Sequence, residues 1–435
     1  MKKYFLVLIV IIISVRVNGQ NSKKKINSIE NYQVLNLVVK NVSVVTMKND
    51  SEIKNQDVVI KNGLIESISN TKKKKYKNFM TIDGSNKFIM PSLADAHVHL
   101  PKDENDLKKT LILNLINGVT KLRSMRGNWN HLEWREKYNM GNSAYPKLYL
   151  SSPPISRNYT FTSQELNDYI QEAKNFDFIK ILSIKDESLF KELDSLCKIN
   201  NINIAGHFPS NITDIEIFKS NYTSFEHLGG LTEESMLTSV RLQAVKDNNI
   251  SICPTLSWYS VGSGRYTLDE LRNLRGMEYI SDVVVEEWIE KTKEYRERLG
   301  VKAYQDEVEL ELLKLDKKYK VIAMLNKLGV QILLSPDSSS KYMVPGFGMV
   351  GEMELLKNTG LDNFDILQMA TVNFAAFFEE DYGFIEEGKK ADFVLLKNNP
   401  LKDIKALETI EGVYFNNNFL NKETLGNLSQ SILPN

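Results

Sequence analysis

Between residue 91 and about residue 380 the sequence alternates eight times between short apolar runs and longer amphipathic ones. The apolar runs lie near 92–98, 119–124, 147–152, 177–182, 202–207, 223–227, 250–256 and 330–335. The text between them has helical spacing, as in "TSQELNDYIQEAKNF" and "DESLFKELDSLCKIN". Short continuous apolar runs suit strands that are covered on both faces, and strands that alternate with helices pair in parallel. Eight such units predict an α/β fold, a (β/α)8 TIM-like barrel. One interval breaks the rhythm. Residues 267–328, between the seventh and eighth strands, hold two or more charged amphipathic helices. An insertion there stands over the face where the strands end and is placed to act as a lid.

The flanks read differently. Residues 33–90 carry β-rich runs divided by turn signals, "KNG" at 61–63 and "DGSNK" at 83–87. Similar text returns in "GFIEEGKKADFVLLKNNPLKDI" and "IEGVYFNNNFL". The expectation is a small discontinuous β-sandwich domain made of residues 33–90 and 381–435, built from both termini around a barrel of residues 91–380.

The chain opens "MKKYFLVLIVIIISVRVNGQ". Lys2 and Lys3 precede an apolar stretch at 4–15, and Val17-Asn18-Gly19 suits cleavage, so residues 1–19 read as a signal peptide. The stretch falls short of the roughly 20 residues of a membrane span, though an uncleaved anchor is the alternative. An exported protein, periplasmic or extracellular, is expected, with no stable membrane span after cleavage. Residues 21–30 read as a polar lead-in and the Lys72–Lys75 run as an exposed loop. Export permits a disulfide between Cys197 and Cys253, but two separate buried thiols are expected. With 42% hydrophobic and 25% charged residues the chain can build a core. Its formal net charge of zero offers no basic excess for nucleic acid, and no phosphate-loop or dinucleotide fingerprint is present.

The chemistry lies where the strands end, because a barrel of this kind presents reactive side chains there. Four of the five histidines fall at such ends: His97 and His99 in "DAHVHL", His207 in "NIAGHF" and His227 in "SFEHLGG". The fifth, His131, lies in helix-like text. Asp337 ends the eighth strand in "ILLSPDSS". Two histidines spaced by two on a strand face the same way. Imidazoles with a carboxylate suit Zn²⁺ or a similar divalent ion. Lys180 sits in the fourth strand, "DFIKIL". A buried unpaired ammonium is costly, so burial favours the neutral amine. A neutral amine can take up CO₂ as a carbamate whose two oxygens bridge two metals. The alternatives are that Lys180 reaches solvent or pairs with Asp177 or Asp186. Asp95 is either a support for the histidines or a cap on the strand end.

These motifs together resemble the amidohydrolase superfamily of metal-dependent hydrolases. The residues that carry the resemblance are "DAHVHL", "GVTKLRSM", "DFIKI", "AGHF", "FEHLGG", "PTLSW" and "SPDSS", with "ATVNFAAFF" and "GKKADFVLLKNNPL" beyond the barrel. The order looks like the branch with a carboxylated lysine on the fourth strand, and most like imidazolonepropionase-related and prolidase-like enzymes. Those hydrolyse dipeptides, N-acyl amino acids or small cyclic amides. The chain departs from the pattern at Ser335-Pro336-Asp337, where a small residue and Thr usually precede the Asp, and at Arg123-Ser124, where an acidic residue often follows the Arg.

The resemblance implies that His97, His99 and Asp337 hold one metal, that His207 and His227 hold a second, and that carboxylated Lys180 bridges them. The pair would be Zn²⁺ or Mn²⁺. It further implies a metal-activated hydroxide as nucleophile and Asp337 as the group that moves the proton from water to the leaving amine. For a substrate carboxylate, Arg123, Arg157 and Tyr259 are the candidates by position. Rival readings are a mononuclear cyclic amidohydrolase, a deaminase and a secreted binding protein without catalysis. A deaminase of this scaffold typically has a Glu after the fifth strand, and "AGHFPSNITD" has none.

Overall fold

The computed structural model describes residues 32–72, 76–232 and 236–434. The expected signal peptide at 1–19, the lead-in at 21–30 and Lys73, Lys74 and Lys75 lie outside the described residues.

The first strands are β1 (Asn36–Val45), β2 (Glu52–Lys61), β3 (Leu64–Asn70), β4 (Met80–Asp83) and β5 (Phe88–Pro91). β2 turns into β3 through Asn62 and Gly63, with φ of 52° and 77°. Two left-handed residues in succession give the hairpin turn whose twist matches that of its strands, and Asn-Gly adopts it at least cost. The first half of β1 pairs in parallel with β4 and its second half with β5.

The next seven strands are β6 (Leu93–Val98), β7 (Val119–Ser124), β8 (Lys147–Leu150), β9 (Phe178–Ile181), β10 (Asn203–Gly206), β11 (Tyr222–Glu226) and β12 (Ser251–Cys253). They form two parallel sheets, β6-β7-β8 and β12-β11-β10-β9. Parallel bridges Ser151↔Phe178 and Ile155↔Ile181 span one seam between the sheets. At the other seam the segment after Val330 bridges both sides, through Ile252↔Ile332 and Val98↔Ser338. This segment is the expected eighth strand, but it makes isolated bridges rather than a ladder. Pro336 has no N–H to give, and Asp337 is left-handed with φ 65°. Either feature ends regular pairing.

The expected insertion contains the helices Leu268–Arg272, Asp282–Leu299 and Val301–Lys327. The chain then returns in β13 (Phe393–Leu396), β14 (Ile410–Phe415) and β15 (Asn418–Asn421). β13 pairs antiparallel with β5, Phe393 opposite Pro91, so both ends of the described chain share one mixed sheet of order β15-β14-β13-β5-β1-β2-β3, with β4 on β1. The expected sandwich thus takes the form of one connected eight-stranded sheet. Its apolar face, with Leu37, Val58, Ile60 and Phe393, forms a core separate from the main one. Cys197 and Cys253 are both buried and unpaired. Among the described residues no helix is long and apolar enough to cross a membrane.

Candidate active site

β6 delivers the first two histidines. Their side chains lie on one side of the strand, with Nε2 of His97 and Nε2 of His99 3.3 Å apart. Asp337 comes from the segment that bridges β6 at Val98↔Ser338, its Oδ1 3.5 Å from His97 Nε2 and 3.4 Å from His99 Nε2. One ligand atom from each of the three lies within 4.8 Å of the others. His207 follows β10 and His227 follows β11, with ring centroids 5.0 Å apart. The His227 ring is 5.1 Å from that of His97. The four strand-end histidines and Asp337 therefore converge. Burial, together with their neighbours' charge, holds His99 and His227 well below the usual histidine range and pulls His207 down to about 3. Neutral imidazole is the form that ligates a metal.

Lys180, in β9, is buried, and its Nζ has no hydrogen-bond partner. Burial pulls its amine down to about 8. Neither carboxylate considered for it is paired with it. Asp177 takes Arg135 at 3.1 Å and the Leu150 N–H at 2.6 Å. Asp186 accepts from the Leu189 N–H at 2.9 Å and caps the helix Glu187–Ile199. An orphaned amine on β9, opposite Ala205 of the strand that leads to His207, fits a lysine that is modified when metal is bound.

Arg123 is not where the sequence reading put it. It has no exposed surface, so it does not face a substrate. Its Nη1 donates to Glu226 Oε1 at 2.9 Å and its Nη2 to Ser224 Oγ at 2.6 Å. The reason is alternation in β7, which turns residue 123 into the protein interior, where Glu226 neutralises it. Arg157 is exposed on the loop after β8, and its backbone N–H donates to Ser183 Oγ at 2.9 Å. Tyr259 does join the site. Its ring is 6.3 Å from that of His227, and its hydroxyl accepts from the Leu228 N–H at 3.2 Å. Lys318 of the inserted helices lies 4.1 Å over the Tyr259 ring.

Asp95 caps rather than touching either imidazole. It accepts from the His97 N–H at 3.1 Å and from the hydroxyls of Ser335 and Ser338. The Asp337 N–H donates to Ser335 Oγ at 3.2 Å, so this cluster holds the left-handed turn that presents Asp337. Burial pushes the Asp95 carboxyl up to about 6.

Three contributors escaped the sequence reading. Glu226 accepts from His97 Nδ1 at 2.7 Å. Its one signal was an acid in an apolar strand beside a strand-end histidine. Thr255 Oγ1 is 2.6 Å from His227 Nδ1. Glu352 accepts from the N–H groups of Leu256 and Ser257 at 2.7 and 2.6 Å, at the start of the helix Leu256–Gly262 that carries Tyr259. Nothing local in the sequence marks Glu352.

The model of the amidohydrolase family matches residues 183–420. No curated protein matches the sequence. Among solved structures, a Xaa-Pro dipeptidase with bound methionine in its active site is similar at a TM-score of 0.65 and 16% identity, over 89% of this chain and 100% of that one. Bottromycin amidohydrolase gives 0.72 and 19%, over 91% and 90%. A prolidase complexed with N-methylphosphonate-L-proline gives 0.64 and 17%, over 89% and 99%. These likenesses establish a shared fold, a TIM-type architecture mixing helices and strands.

Proposed function

Because the chain belongs to the amidohydrolase family, a group of hydrolases acting on carbon–nitrogen bonds, we propose that it cleaves the amide-type bond of a dipeptide, an N-acyl amino acid or a small cyclic amide. The observation that carries this reading is the convergence of His97, His99, His207, His227 and Asp337, with the unpartnered amine of Lys180 on the strand paired to the one before His207. In this reading His97, His99 and Asp337 would hold one divalent ion, Zn²⁺ or Mn²⁺. His207 and His227 would hold another, and Lys180, carboxylated by CO₂, would supply a ligand to the pair. When bound, such ions supply Lewis acidity that makes water a nucleophile near neutral pH and polarises the scissile carbonyl.

The protein does the rest. Asp337 takes the proton of the attacking water and returns it to the leaving amine. Its carboxyl is suited to the task because burial raises it above the usual carboxylate range. Glu226 and Thr255 engage the Nδ1 atoms of His97 and His227, which leaves each Nε2 for a metal. The two parallel sheets, bridged at both seams, are read as one closed barrel of residues 91–380, with the terminal sheet as its companion domain. Export rests on the sequence of residues 1–19.

The test is metal content per chain in wild type and in Lys180→Ala. Two ions falling to one or fewer supports the binuclear hydrolase, and a dipeptide and N-acyl amino acid panel follows. One ion unchanged by the substitution removes the carbamate and favours a mononuclear cyclic amidohydrolase. No metal after reconstitution with Zn²⁺ or Mn²⁺ and bicarbonate leaves only a non-catalytic binding protein.

A further inference from the structure

Arg126 stands two residues beyond the end of β7, half-buried. Its backbone is anchored, because the Met125 N–H donates to Val98 O at 2.9 Å, between His97 and His99 in sequence. Among the described residues nothing hydrogen-bonds or pairs with its guanidinium. Val98 also bridges Ser338, so Arg126 and Asp337 each stand one residue from a partner of the same β6 residue, and the Asp337 carboxylate favours the charged guanidinium against the cost of burial.

Apart from the buried Lys180, which the reading above takes up as a carbamate, the other cations near the site are engaged or in solvent. Lys318 lies over the Tyr259 ring. Lys341 donates to Thr292 Oγ1 at 3.0 Å. Arg123 is taken by Glu226, and Arg157 is exposed. A half-buried guanidinium keeps five N–H donors in a planar fork, and the fork matches a carboxylate through two parallel hydrogen bonds. Leaving it unmatched costs free energy that a ligand can recover.

We propose that Arg126 binds the free carboxylate of the amino acid released by the reaction, so that the substrates are N-acyl amino acids or dipeptides with an unblocked C-terminus. This rests on the hydrolase reading above and narrows it. In that reading Asp337 hands its proton to the leaving nitrogen. In an α-amino acid the carboxylate carbon is two bonds from that nitrogen, about 2.5 Å away. A cation beside Asp337 is therefore on the amine side of the scissile bond. A neutral cyclic amide has no group for it.

The experiment uses metal-loaded full-length protein, a panel of N-acetyl-L-amino acids and unblocked dipeptides, and the C-terminal carboxamides of both. It reads kcat and KM, and calorimetric binding. Wild type should prefer the carboxylate form. In Arg126→Gln the KM for carboxylates should rise roughly 10- to 100-fold, the strength of a charge-assisted pair, with a much smaller change in kcat. Arg126→Lys should recover part of the loss. Hydrolysis of both forms without preference, or an equal loss on both in Arg126→Gln, overturns the assignment while the hydrolase stands. Carboxylate binding lost in Arg126→Gln, with no member hydrolysed, keeps the assignment and removes the hydrolase. No binding or turnover of any member by wild type removes both.

Discussion

Nδ1 of His97 lies 2.7 Å from Oε2 of Glu226, and both side chains are buried. The contact fixes which ring nitrogen carries the proton. With Nδ1–H donated to the carboxylate, Nε2 keeps its lone pair and aims it toward His99 and Asp337. Glu226 can stay ionised without water because Arg123 neutralises it, and its carboxyl is held well below the usual range despite the cost of burial.

Removing that orientation should weaken metal binding. Glu226→Gln should lower affinity by about 10- to 100-fold, the usual effect of losing a partner of a ligating histidine. Competition with a chromophoric chelator reads it. An affinity equal to wild type would show that another contact orients His97.

Arg123 and Glu226 should behave as one unit. Arg123→Met leaves a buried carboxylate without its cation and should cost about 3–5 kcal/mol of stability. The double variant with Glu226→Gln should lose less than the sum of the two single changes. Denaturant titration measures both. A substrate-binding arginine would instead change KM and leave stability alone.

Gly206 ends β10 with φ 146°, just before His207. A Cβ there would lie 2.0 Å from Ile181 O, in the neighbouring strand β9 that carries Lys180. Gly206→Ala should force β9 and β10 apart, lowering the melting temperature and displacing His207 from Lys180. Calorimetric melting with metal analysis checks this. An unchanged melt with full metal content would show that the strands yield at no cost.

Glu352 should make stability depend on pH. Burial pushes its carboxyl up to about 7 from an ordinary 4.5. The folded chain therefore holds this proton more tightly than the unfolded chain. Its contribution is complete below the ordinary value and is lost as pH rises through about 7, by roughly 3 kcal/mol for such a shift. Glu352→Gln has nothing to titrate, so the stability of wild type relative to the variant should fall between pH 5 and 8. A flat difference across that window would refute the assignment.

The alternation of runs was enough to place the strands that carry Lys180 and all four strand-end histidines, since burial on both faces leaves an unbroken apolar signature. The eighth was legible only as an apolar run. Its irregular pairing comes from Pro336, which has no N–H, and from the left-handed Asp337, whose N–H donates to Ser335 Oγ while Ser335 donates to the distant Asp95. The Asn62-Gly63 turn was legible because it is local.

By itself, then, the sequence determined which residues end strands and which of them carry an imidazole or a carboxylate. Periodicity of two and the chemistry of imidazole are local properties. It could not assign Arg123 to Glu226, Thr255 to His227, or Glu352 to the helix holding Tyr259. Those partners are 103, 28 and about 95 residues apart in the chain. Such pairs become neighbours only when the strands and helices pack together, and only then does the cost of a buried charge decide which side chain must meet which.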